Sequence, residues 1–455
     1  MPDDGSDYLL EVPYPPQFYR EHAPLWLRTV LAANGRRHSA EADPTWCEVG
    51  CGSGLGLIVL AATNPSTTFH GIDVNPRHID DARAFAAAAG IGNVRFHRAD
   101  IRQADHLPAF DHIVVRGLYS WVAPEIRRAI DQFTASHLRP GGVALIHYLA
   151  LPGAADFTAF HGLFRAIGLR TGTSARETVR AGLDMIARLR EGRAGFFATH
   201  PVAERMARQI AADHPDYTAH DYLNDHYAPL SSAEVIHHLH GQGLRFAGSA
   251  TPFDNLDDFS VPGNLRALCA AQPDIGLREA MKDVAGNQFS RLDLYVRDTA
   301  PLPAEARDAT PGNLHFRALP GAPRTGGLSF ASRIGQVAGD ASVFGPVLEL
   351  FASGDVISDD AVAALPRFAA NPASAGVVLQ AMMGAGLIHP APDAPADPEP
   401  ARRVNALLLE RRRAGAVIPA LASPALASAL FLPPELLDVC AAGQALPAEV
   451  QRLLP

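Results

Sequence analysis

Three carboxylates and one glycine-rich turn are the residues of this chain whose types and spacing are suited to binding a ligand. The turn reads Glu48-Val49-Gly50-Cys51-Gly52-Ser53-Gly54, and Asp73 and Asp100 follow it along the chain. Glycines let a backbone approach a ligand where a Cβ atom would clash. A carboxylate at the turn repels phosphate and attracts an ammonium group. Asp73 can accept hydrogen bonds from two ribose hydroxyls.

The glycine spacing argues against a dinucleotide site. A dinucleotide turn has the pattern G-x-G-x-x-G, in which the third glycine lets the following helix pack closely. That position is Leu55 here, and the glycines stand at 50, 52 and 54. Cys51 could be mistaken for a nucleophile, but its place inside the turn makes it a packing position. We therefore expect a ligand with an ammonium group, a ribose and no phosphate.

Short apolar runs alternate with helical patterns, which predicts an α/β, mostly parallel and doubly wound sheet. The turn itself joins a strand to a helix. Ligands of such sheets bind beyond the carboxyl ends of the strands, where Glu48 and Asp73 stand. The seven predicted strands are Thr45–Val49, Thr67–Asp73, Val94–His97, His112–Val115, Val143–Ile146, Gly243–Gly248 and Arg291–Val296.

The turn and its carboxylates resemble motif I and the motifs that follow it in the class I S-adenosylmethionine methyltransferases. The resemblance implies this cofactor and a seven-stranded Rossmann-like fold. It also implies that Asp100, the acidic residue after the third strand, takes the adenine amino group. The residues expected to bind the cofactor are Tyr14, Glu48, Gly50, Cys51, Gly52, Gly54, Asp73, Val74, Asn75, Asp100, Ile101 and Arg116.

Helical segments interrupt the sheet pattern and then follow it. The last segment is mainly helical and winged-helix-like, but it lacks a basic recognition helix, so a protein contact is a better interpretation than DNA binding. The expected units are a cofactor-binding core over 1–154, a helical insertion over 155–230, completion of the sheet over 231–298, a proline-rich linker over 299–312 and an accessory domain over 313–455.

Aromatic residues follow the fourth and fifth strands and recur at the end of the insertion. Both segments leave the sheet on its ligand side, so we expect them to converge on one aromatic cavity. Structural packing is the competing interpretation for each of these side chains. The expected catalytic residues are Tyr119, His220 and Asp221, and the expected acceptor-binding residues are Tyr19, Trp121, Tyr148 and Tyr222.

Four segments resemble a more specific family, the bacterial methyltransferases with a methyltransferase regulatory domain, which include protein lysine methyltransferases. They are Tyr14-Pro15-Pro16-Gln17-Phe18-Tyr19, the Glu48–Gly54 turn, Gly117-Leu118-Tyr119-Ser120-Trp121-Val122 and Tyr217–Asn224. The resemblance implies a helical middle region, a C-terminal accessory domain and, in some members, a homodimer. The chain departs from the family pattern on the acceptor side, at Arg116, His147, Leu149 and Ala154.

Composition and charge limit the classes of partner and the cellular compartment that we expect for this protein. The net charge of −9 and the isoelectric point near 6.1 disfavour a nucleic-acid substrate, which a basic face would bind. Four scattered cysteines indicate neither a disulfide framework nor a zinc site. No stretch is long enough to span a bilayer. We expect a soluble cytoplasmic protein whose partner is a protein, peptide or small-molecule methyl acceptor, and no metal, membrane or nucleic acid.

The expected activity is methyl transfer to an amine of a protein or peptide, of the lysine type. Positioning dominates such an in-line displacement, and an aromatic pocket penalises the charged form of the amine. Two alternatives stay open: a small-molecule O- or N-methyltransferase of secondary metabolism, and a non-catalytic cofactor-binding scaffold. Since every cofactor motif lies before residue 102, we also expect deletion of residues 305–455 to leave cofactor binding intact.

Overall fold

The computed structural model describes residues 9, 12, 14–36, 43–297 and 314–455, so the predicted linker over 299–312 lies outside the described residues. A seven-stranded sheet forms the centre. Its strands are β1 Thr45–Val49, β2 Thr68–Asp73, β3 Val94–Arg98, β4 Phe110–Val115, β5 Leu138–Leu149, β6 Leu244–Ser249 and β7 Ser290–Arg297. Their order across the sheet is β3-β2-β1-β4-β5-β7-β6.

The topology brings the carboxylates that are predicted to bind the ligand to one edge of the sheet. β1 pairs in parallel with β2 and β4, and β3 extends the parallel set from β2. Only β7 runs against its neighbours, β5 and β6, among the described strands of this sheet. The chain changes direction across the sheet between β1 and β4, which is where doubly wound sheets bind ligands. The predicted fold class is therefore confirmed.

Strand β5 is longer than predicted. The segment Leu138–Gly142, expected as a turn before the strand, already belongs to it. The pairing with β4 is irregular there, with a register shift between Phe110 and His112, and Gly141 has a positive φ of 78°. A bulge of this kind lets a strand continue through a Pro-Gly sequence that otherwise marks a turn.

Helices cover both faces of the sheet and fill the connections. The helices of the first two thirds of the chain are α1 Pro24–Ala33, α2 Leu55–Thr63, α3 Pro76–Ala89, α4 Pro124–His137, α5 Phe157–Thr171, α6 Ala175–Glu191, α7 Gly195–Thr199, α8 Pro201–Ala212, α9 Pro215–Tyr222, α10 Ser232–Gly241, α11 Pro252–Asn255, α12 Asp257–Ser260, α13 Arg266–Ala270 and α14 Ile275–Gly286. Those of the last third are Ala341–Phe351, Asp359–Ala363, Ala373–Gly384, Glu399–Arg413, Pro434–Ala441 and Ala448–Gln451.

The helices α5 to α9 form the insertion between β5 and α10. They pack around a hydrophobic cluster of their own, which includes Phe160, Phe164 and Ile210. Helix α6 begins with a capping box, in which Ser174 accepts from the backbone N–H of Glu177 and Glu177 accepts from Ser174 in return. The insertion therefore has its own core, yet residues of its last helix, α9, line a cavity together with Arg116, which directly follows β4.

The C-terminal region contains more strand than the sequence predicts. A three-stranded sheet joins Ile357–Ser358, His315–Ala318 and Ile388–Pro390, and it accompanies short helices as in a winged helix. Two hairpins were not predicted. One joins Leu328–Ser332 to Gly335–Gly339, and the other joins Leu421–Ser423 to Ser428–Leu430.

The C-terminal region is not independent of the sheet. Helix α2 starts directly after the glycine turn, and all its residues except Gly56 are buried. Leu57 and Leu60 share one hydrophobic cluster with Leu426 and Leu430. The amide of Asn64, just after α2, donates to the carbonyl of Ala427 at 3.0 Å. Removal of residues 305–455 would therefore expose α2. The expectation that this deletion leaves cofactor binding intact stays a prediction, and the packing on α2 argues against it.

Within the residues that the structure describes, no helix combines the length and the apolar character needed to cross a membrane.

Candidate active site

The glycine turn forms the floor of a cavity of about 390 Å³ at the carboxyl ends of β1 and β2. Gly50, Gly52 and Gly54 all have positive φ, at 78°, 54° and 68°. A Cβ atom on Gly54 would lie 2.4 Å from the Phe96 ring, whereas one on Gly52 would meet no atom within 4 Å. Gly54 is thus required by packing, and Gly52 by its backbone conformation.

Asp73, at the end of β2, is fixed by the backbone of the turn. Its two carboxylate oxygens accept from the N–H groups of Gly52 and Asn75, both at 2.8 Å. His78 on α3 approaches the carboxylate to 3.4 Å. A carboxylate has about four lone-pair positions, so each oxygen can accept one more hydrogen bond from a ligand hydroxyl. The sequence prediction of a ribose acceptor is compatible with this geometry.

Glu48 and Asp100 line the same cavity on either side of Asp73. The carboxylate of Glu48 lies 3.4 Å from Nδ1 of His22 and is mostly buried. Asp100 accepts from the guanidinium of Arg102, which holds the pKa of this carboxyl below its usual range. Three hydrogen-bond acceptors facing one cavity suit a ligand with an ammonium group, ribose hydroxyls and an exocyclic amine. These carboxylates therefore fit S-adenosylmethionine.

Of the twelve residues predicted to bind the cofactor, Asn75 alone does not line this cavity. Asn75 is instead the N-cap of α3, and its side chain accepts from the backbone N–H of Arg77. Cys51 does line the cavity, and burial followed by the charges of Asp73 and Glu48 raises the pKa of its thiol well above the usual value. The thiol stays protonated, as a packing role requires.

A second cavity of about 200 Å³ adjoins the first. The two share five wall residues, which are Tyr14, Tyr19, Arg116, Gly117 and Trp121. The remaining wall of the second cavity comes from β5, α5, α9, the segment after α9 and the start of β7. Distant parts of the chain thus converge beside the first cavity, which we call the cofactor cavity. The residues predicted to converge that do line the second cavity are Trp121, His220, Asp221 and Tyr222.

Asp221 is the one carboxylate among the described residues that line the second cavity. Burial, followed by the nearby charge of Asp213, raises the pKa of Asp221 to about 8, and a hydrogen bond from Tyr217 works against this rise. Aromatic rings surround it: Tyr222 and Tyr227 stack with ring centroids 6.1 Å apart, and Trp121 meets Tyr227 edge-on at 6.3 Å. A carboxyl with this pKa in an aromatic wall can exchange a proton near neutral pH.

His220 contacts the N-terminal arm, the segment before α1 that includes Leu9, Val12 and residues 14–19. Its Nε2 lies 2.8 Å from the carbonyl oxygen of Val12, so this nitrogen must carry the hydrogen that it donates. Tyr14 packs edge-on against the His220 ring at 5.1 Å. Burial also lowers the pKa of His220. Nε2 of His220 is thus engaged by the Val12 carbonyl, while the side chain also lines the second cavity, and the predicted catalytic role of His220 stays a prediction.

Tyr119 and Tyr148 lie outside both cavities, which contradicts their predicted catalytic and acceptor-binding roles. The hydroxyl of Tyr119 donates to Asp131 at 2.9 Å, and that of Tyr148 donates to Asp293 at 2.7 Å. Both side chains are buried in the sheet core, and burial raises the pKa of both phenols. They are packing residues whose hydroxyls are satisfied by buried carboxylates.

Sequence reasoning missed several residues of the two cavities. Each missed residue lies within a few positions of a motif that was recognised. Its residue type alone could not mark it, because histidines and tyrosines elsewhere in the chain pack structurally and look the same in the sequence. His147 illustrates the point, since its Nδ1 accepts from the Gly117 N–H at 3.2 Å and so shapes the loop after β4. The missed residues are Gln17, His22, His78, His147, Tyr217 and Tyr227.

Comparison with family models identifies two segments of the chain. Residues 47–144 match a methyltransferase domain. Residues 214–297 match a predicted methyltransferase regulatory domain. The first segment contains the glycine turn with Asp73 and Asp100, and the second begins at α9, which forms part of the second cavity. Both matched segments thus contribute residues to the second cavity, the first through Arg116, Gly117 and Trp121 and the second through α9.

One relative matches most of the chain, and another matches about a third of it. An uncharacterized protein, sll1526, of Synechocystis is 29% identical over 398 residues, which are 85% of this chain and 77% of the relative. The uncharacterized protein RP028 of Rickettsia prowazekii is 34% identical over 144 residues, which are 31% of this chain and 58% of the relative.

The fold also matches solved structures. PKMT2 from Rickettsia typhi in complex with AdoHcy has a TM-score of 0.72 at 18% identity, and the match covers 95% of this chain and 88% of that chain. A second structure of PKMT2 from Rickettsia typhi has a TM-score of 0.70 at 18% identity, and the match covers 94% of this chain and 87% of that chain. The match includes the sheet, the insertion and the C-terminal region, so all parts of the chain described above belong to one known architecture.

Proposed function

Given that the chain is an S-adenosylmethionine-dependent methyltransferase with a methyltransferase regulatory domain, we propose that it methylates an amine of a protein or peptide, of the lysine type. The observation that carries the proposal is the second cavity, which adjoins the cofactor cavity and combines aromatic walls with Asp221, the one carboxyl among its described lining residues. The resemblance of several sequence segments to bacterial protein lysine methyltransferases supports the same acceptor.

The aromatic walls suit a cation. Faces of Tyr and Trp attract an ammonium group, each contributing about 0.5–2 kcal/mol according to how far the site is desolvated. Trp121, Tyr217, Tyr222 and Tyr227 all line the cavity. An amine can thus enter in its charged form, which is the abundant form of lysine at neutral pH.

Asp221 is the residue to which we assign the proton. The cofactor supplies a methyl group on a sulfonium, and an attacking nitrogen needs a free lone pair to form the new N–C bond as the S–C bond breaks. Moving a proton from lysine, of pKa about 10.4, to an ordinary aspartate would cost about 9 kcal/mol. With the pKa of Asp221 raised to about 8, the cost falls to about 3 kcal/mol. Asp221 then carries the proton as the acceptor nitrogen is methylated.

The remaining residues orient the reactants. Tyr14 and Tyr19 line both cavities, so the arm that carries them stands where the acceptor and the cofactor would meet. His220 fixes this arm through the carbonyl of Val12. Such positioning is where most of the acceleration of a displacement reaction arises.

A transfer assay tests the proposal. The purified protein is incubated with methyl-labelled S-adenosylmethionine and with separated protein and small-molecule fractions of a bacterial lysate. We expect label in protein, recovered after acid hydrolysis as N-methylated lysine. Asp73→Ala should abolish the transfer, and Asp221→Asn should slow it by about 10²–10⁴-fold, the range for loss of a general base.

Two results would contradict the proposal. Label confined to the small-molecule fraction would instead favour an O- or N-methyltransferase of secondary metabolism. Cofactor binding by calorimetry without any transfer would favour a non-catalytic scaffold.

A further inference from the structure

Arg116 occupies the wall between the two cavities. It follows β4 directly and lines both of them. Its guanidinium carbon lies 3.5 Å from the centroid of the Tyr19 ring, so the planar group is stacked on the arm. Its Nη1 is buried and has no hydrogen-bond partner among the residues that the structure describes. A buried guanidinium nitrogen without a partner indicates an anionic ligand.

The charge of Arg116 acts inside the second cavity. Among the described residues that line this cavity, Arg116 is the one permanent cation. His147 lies in the same wall, and burial, followed by the charges of Arg116 and His22, holds its pKa well below the usual value. His147 is therefore neutral and adds no charge. A cationic acceptor that enters this cavity meets Arg116 as a like charge with little water to screen it.

The cofactor cavity offers the means to cancel this charge. Glu48 lines that cavity close to Arg116, because β1 pairs with β4 in a register that sets Val49 beside Val115. Glu48 attracts the ammonium of an amino-acid group, which leaves the carboxylate of that group for Arg116. Arg116 presents a fork of N–H donors that matches a carboxylate. Once the pair has formed, the carboxylate offsets the positive charge that Arg116 presents to the acceptor.

We propose that Arg116 makes acceptor binding depend on the amino-acid end of the cofactor: the cationic acceptor binds weakly until the cofactor carboxylate has neutralised Arg116. The order of binding is thus built into a residue shared by the two cavities. This inference rests on the proposed function, because it requires an acceptor that carries positive charge.

A binding experiment with two cofactor analogues tests the inference without catalysis. S-adenosylhomocysteine retains the amino-acid group, whereas 5′-methylthioadenosine keeps the nucleoside and the thioether but lacks the carboxylate. The probe is Nα-acetyl-lysine methylamide, and the readout is the fluorescence of Trp121 in the cavity wall, checked by calorimetry. We expect saturating S-adenosylhomocysteine to tighten probe binding about tenfold or more, as removal of a poorly screened like charge implies. 5′-Methylthioadenosine should leave it unchanged.

Variants of Arg116 separate charge from shape. Arg116→Met should raise the affinity of the probe for the cofactor-free protein and abolish the dependence on S-adenosylhomocysteine. Arg116→Lys should retain that dependence. The matched control is Arg98→Gln, which removes one exposed positive charge at the end of β3, outside both cavities. A merely structural role of Arg116 would weaken binding of the probe in the Met variant and would not raise it.

The possible failures are distinct. Equal tightening by the two analogues, or equal probe affinity of the cofactor-free wild type and the Met variant, would overturn the role of Arg116 and leave amine methylation standing. Failure of the probe to bind even with S-adenosylhomocysteine, together with no label in protein in the transfer assay, would overturn the proposed function and this inference with it.

Discussion

Asp221 is the residue on which the proposed chemistry most depends, and its environment explains why. It lies in a wall of aromatic rings, where burial and Asp213 raise its pKa to about 8. An aspartate in water would be ionised throughout the neutral range and would be too weak a base for an ammonium group. The aromatic walls therefore serve twice, since they attract the cation and strengthen the base.

The pH dependence of turnover follows from this pKa. Asp221 accepts a proton only when ionised, so kcat/KM for a lysine acceptor should rise about tenfold per pH unit below about pH 8 and level off above it. In Asp221→Asn the rate should instead keep rising toward the pKa of the free amine, about 10.4. Initial rates between pH 6 and pH 10 measure both profiles, and identical profiles would exclude Asp221 as the base.

Asp73 provides the second prediction at this scale. Both of its oxygens accept backbone N–H groups of the turn, so the amide of Asp73→Asn would bring an N–H donor against another donor. We expect the affinity for S-adenosylhomocysteine, measured by calorimetry, to fall by about 2–4 kcal/mol in Asp73→Ala and also to fall in Asp73→Asn. Asp81→Asn, an exposed position on α3, is the control. Unchanged affinity in the Asp73 variants would refute the cofactor site.

Residue types predicted the cofactor cavity better than the acceptor cavity, for a physical reason. Glycines at positive φ and a carboxylate at a strand end have few roles besides ligand binding, so Gly52 and Asp73 could be assigned from their spacing. A buried tyrosine satisfied by a carboxylate gives the same pattern as one that lines a cavity. Tyr119 was therefore predicted to be catalytic, although its hydroxyl donates a hydrogen bond to Asp131 inside the core.

At the scale of elements, the arm and α9 form one unit over the site. The His220 side chain donates to Val12, Asn224 accepts from the backbone N–H of Leu9 at 3.1 Å, and Tyr14 contacts Tyr217 with ring centroids 5.9 Å apart. The matched regulatory segment thus begins with the helix that holds the arm down. The sequence placed both segments at the ligand edge, but their mutual contacts join residues about 200 positions apart and leave no local pattern.

Loss of the His220 bond should loosen the arm. In His220→Ala we expect KM for the cofactor to rise about two- to tenfold, the value of one hydrogen bond, with a smaller change in kcat. His220→Gln can still donate to the Val12 carbonyl and should restore part of the affinity. His214→Ala, which removes the N-cap of the same helix but no contact to the arm, controls for destabilised α9. A fall in kcat at constant KM would contradict the arm-holding role.

Short elements were the least predictable part of the fold. The hairpin of Leu421–Ser423 and Ser428–Leu430 has three residues in each strand and encloses a helical turn at Pro424–Leu426. Strands this short carry no readable alternation, and tertiary packing against α2 decides their conformation. The strands of the central sheet carry a clearer pattern, as in β4, whose six residues are all buried and apolar or β-branched for the most part.

At the scale of the molecule, the C-terminal region braces the cofactor site from behind. Helix Glu399–Arg413 packs on α2 and α3, and Arg403 donates to the carbonyl of Ala89 at 2.8 Å. Phe431 meets Phe18 of the arm with ring centroids 5.8 Å apart. The region therefore contacts the arm and both helices that follow the cofactor-binding strands.

Leu426→Ala tests this bracing. Leu426 is fully buried in the cluster that covers α2, so the variant should lose about 2–5 kcal/mol of unfolding free energy and also bind S-adenosylhomocysteine more weakly. Leu379→Ala, buried in helix Ala373–Gly384, should lose similar stability but keep its cofactor affinity. Denaturant titration and calorimetry measure the two quantities. Equal cofactor affinity in both variants would show that the region does not support the site.

The continuous core across α2 has a consequence for how the protein unfolds. Separate domains melt separately, whereas a cluster that includes both Leu57 and Leu430 cannot be divided between the sheet and the C-terminal region without exposing it. We expect one calorimetric transition for the sheet and the C-terminal region together. A ligand held by the glycine turn should then raise the melting temperature of residues far from it, with a stabilisation of about 2.7 kcal/mol at a hundredfold excess over Kd. Thermal shift could thus screen for ligands of either cavity with the intact protein.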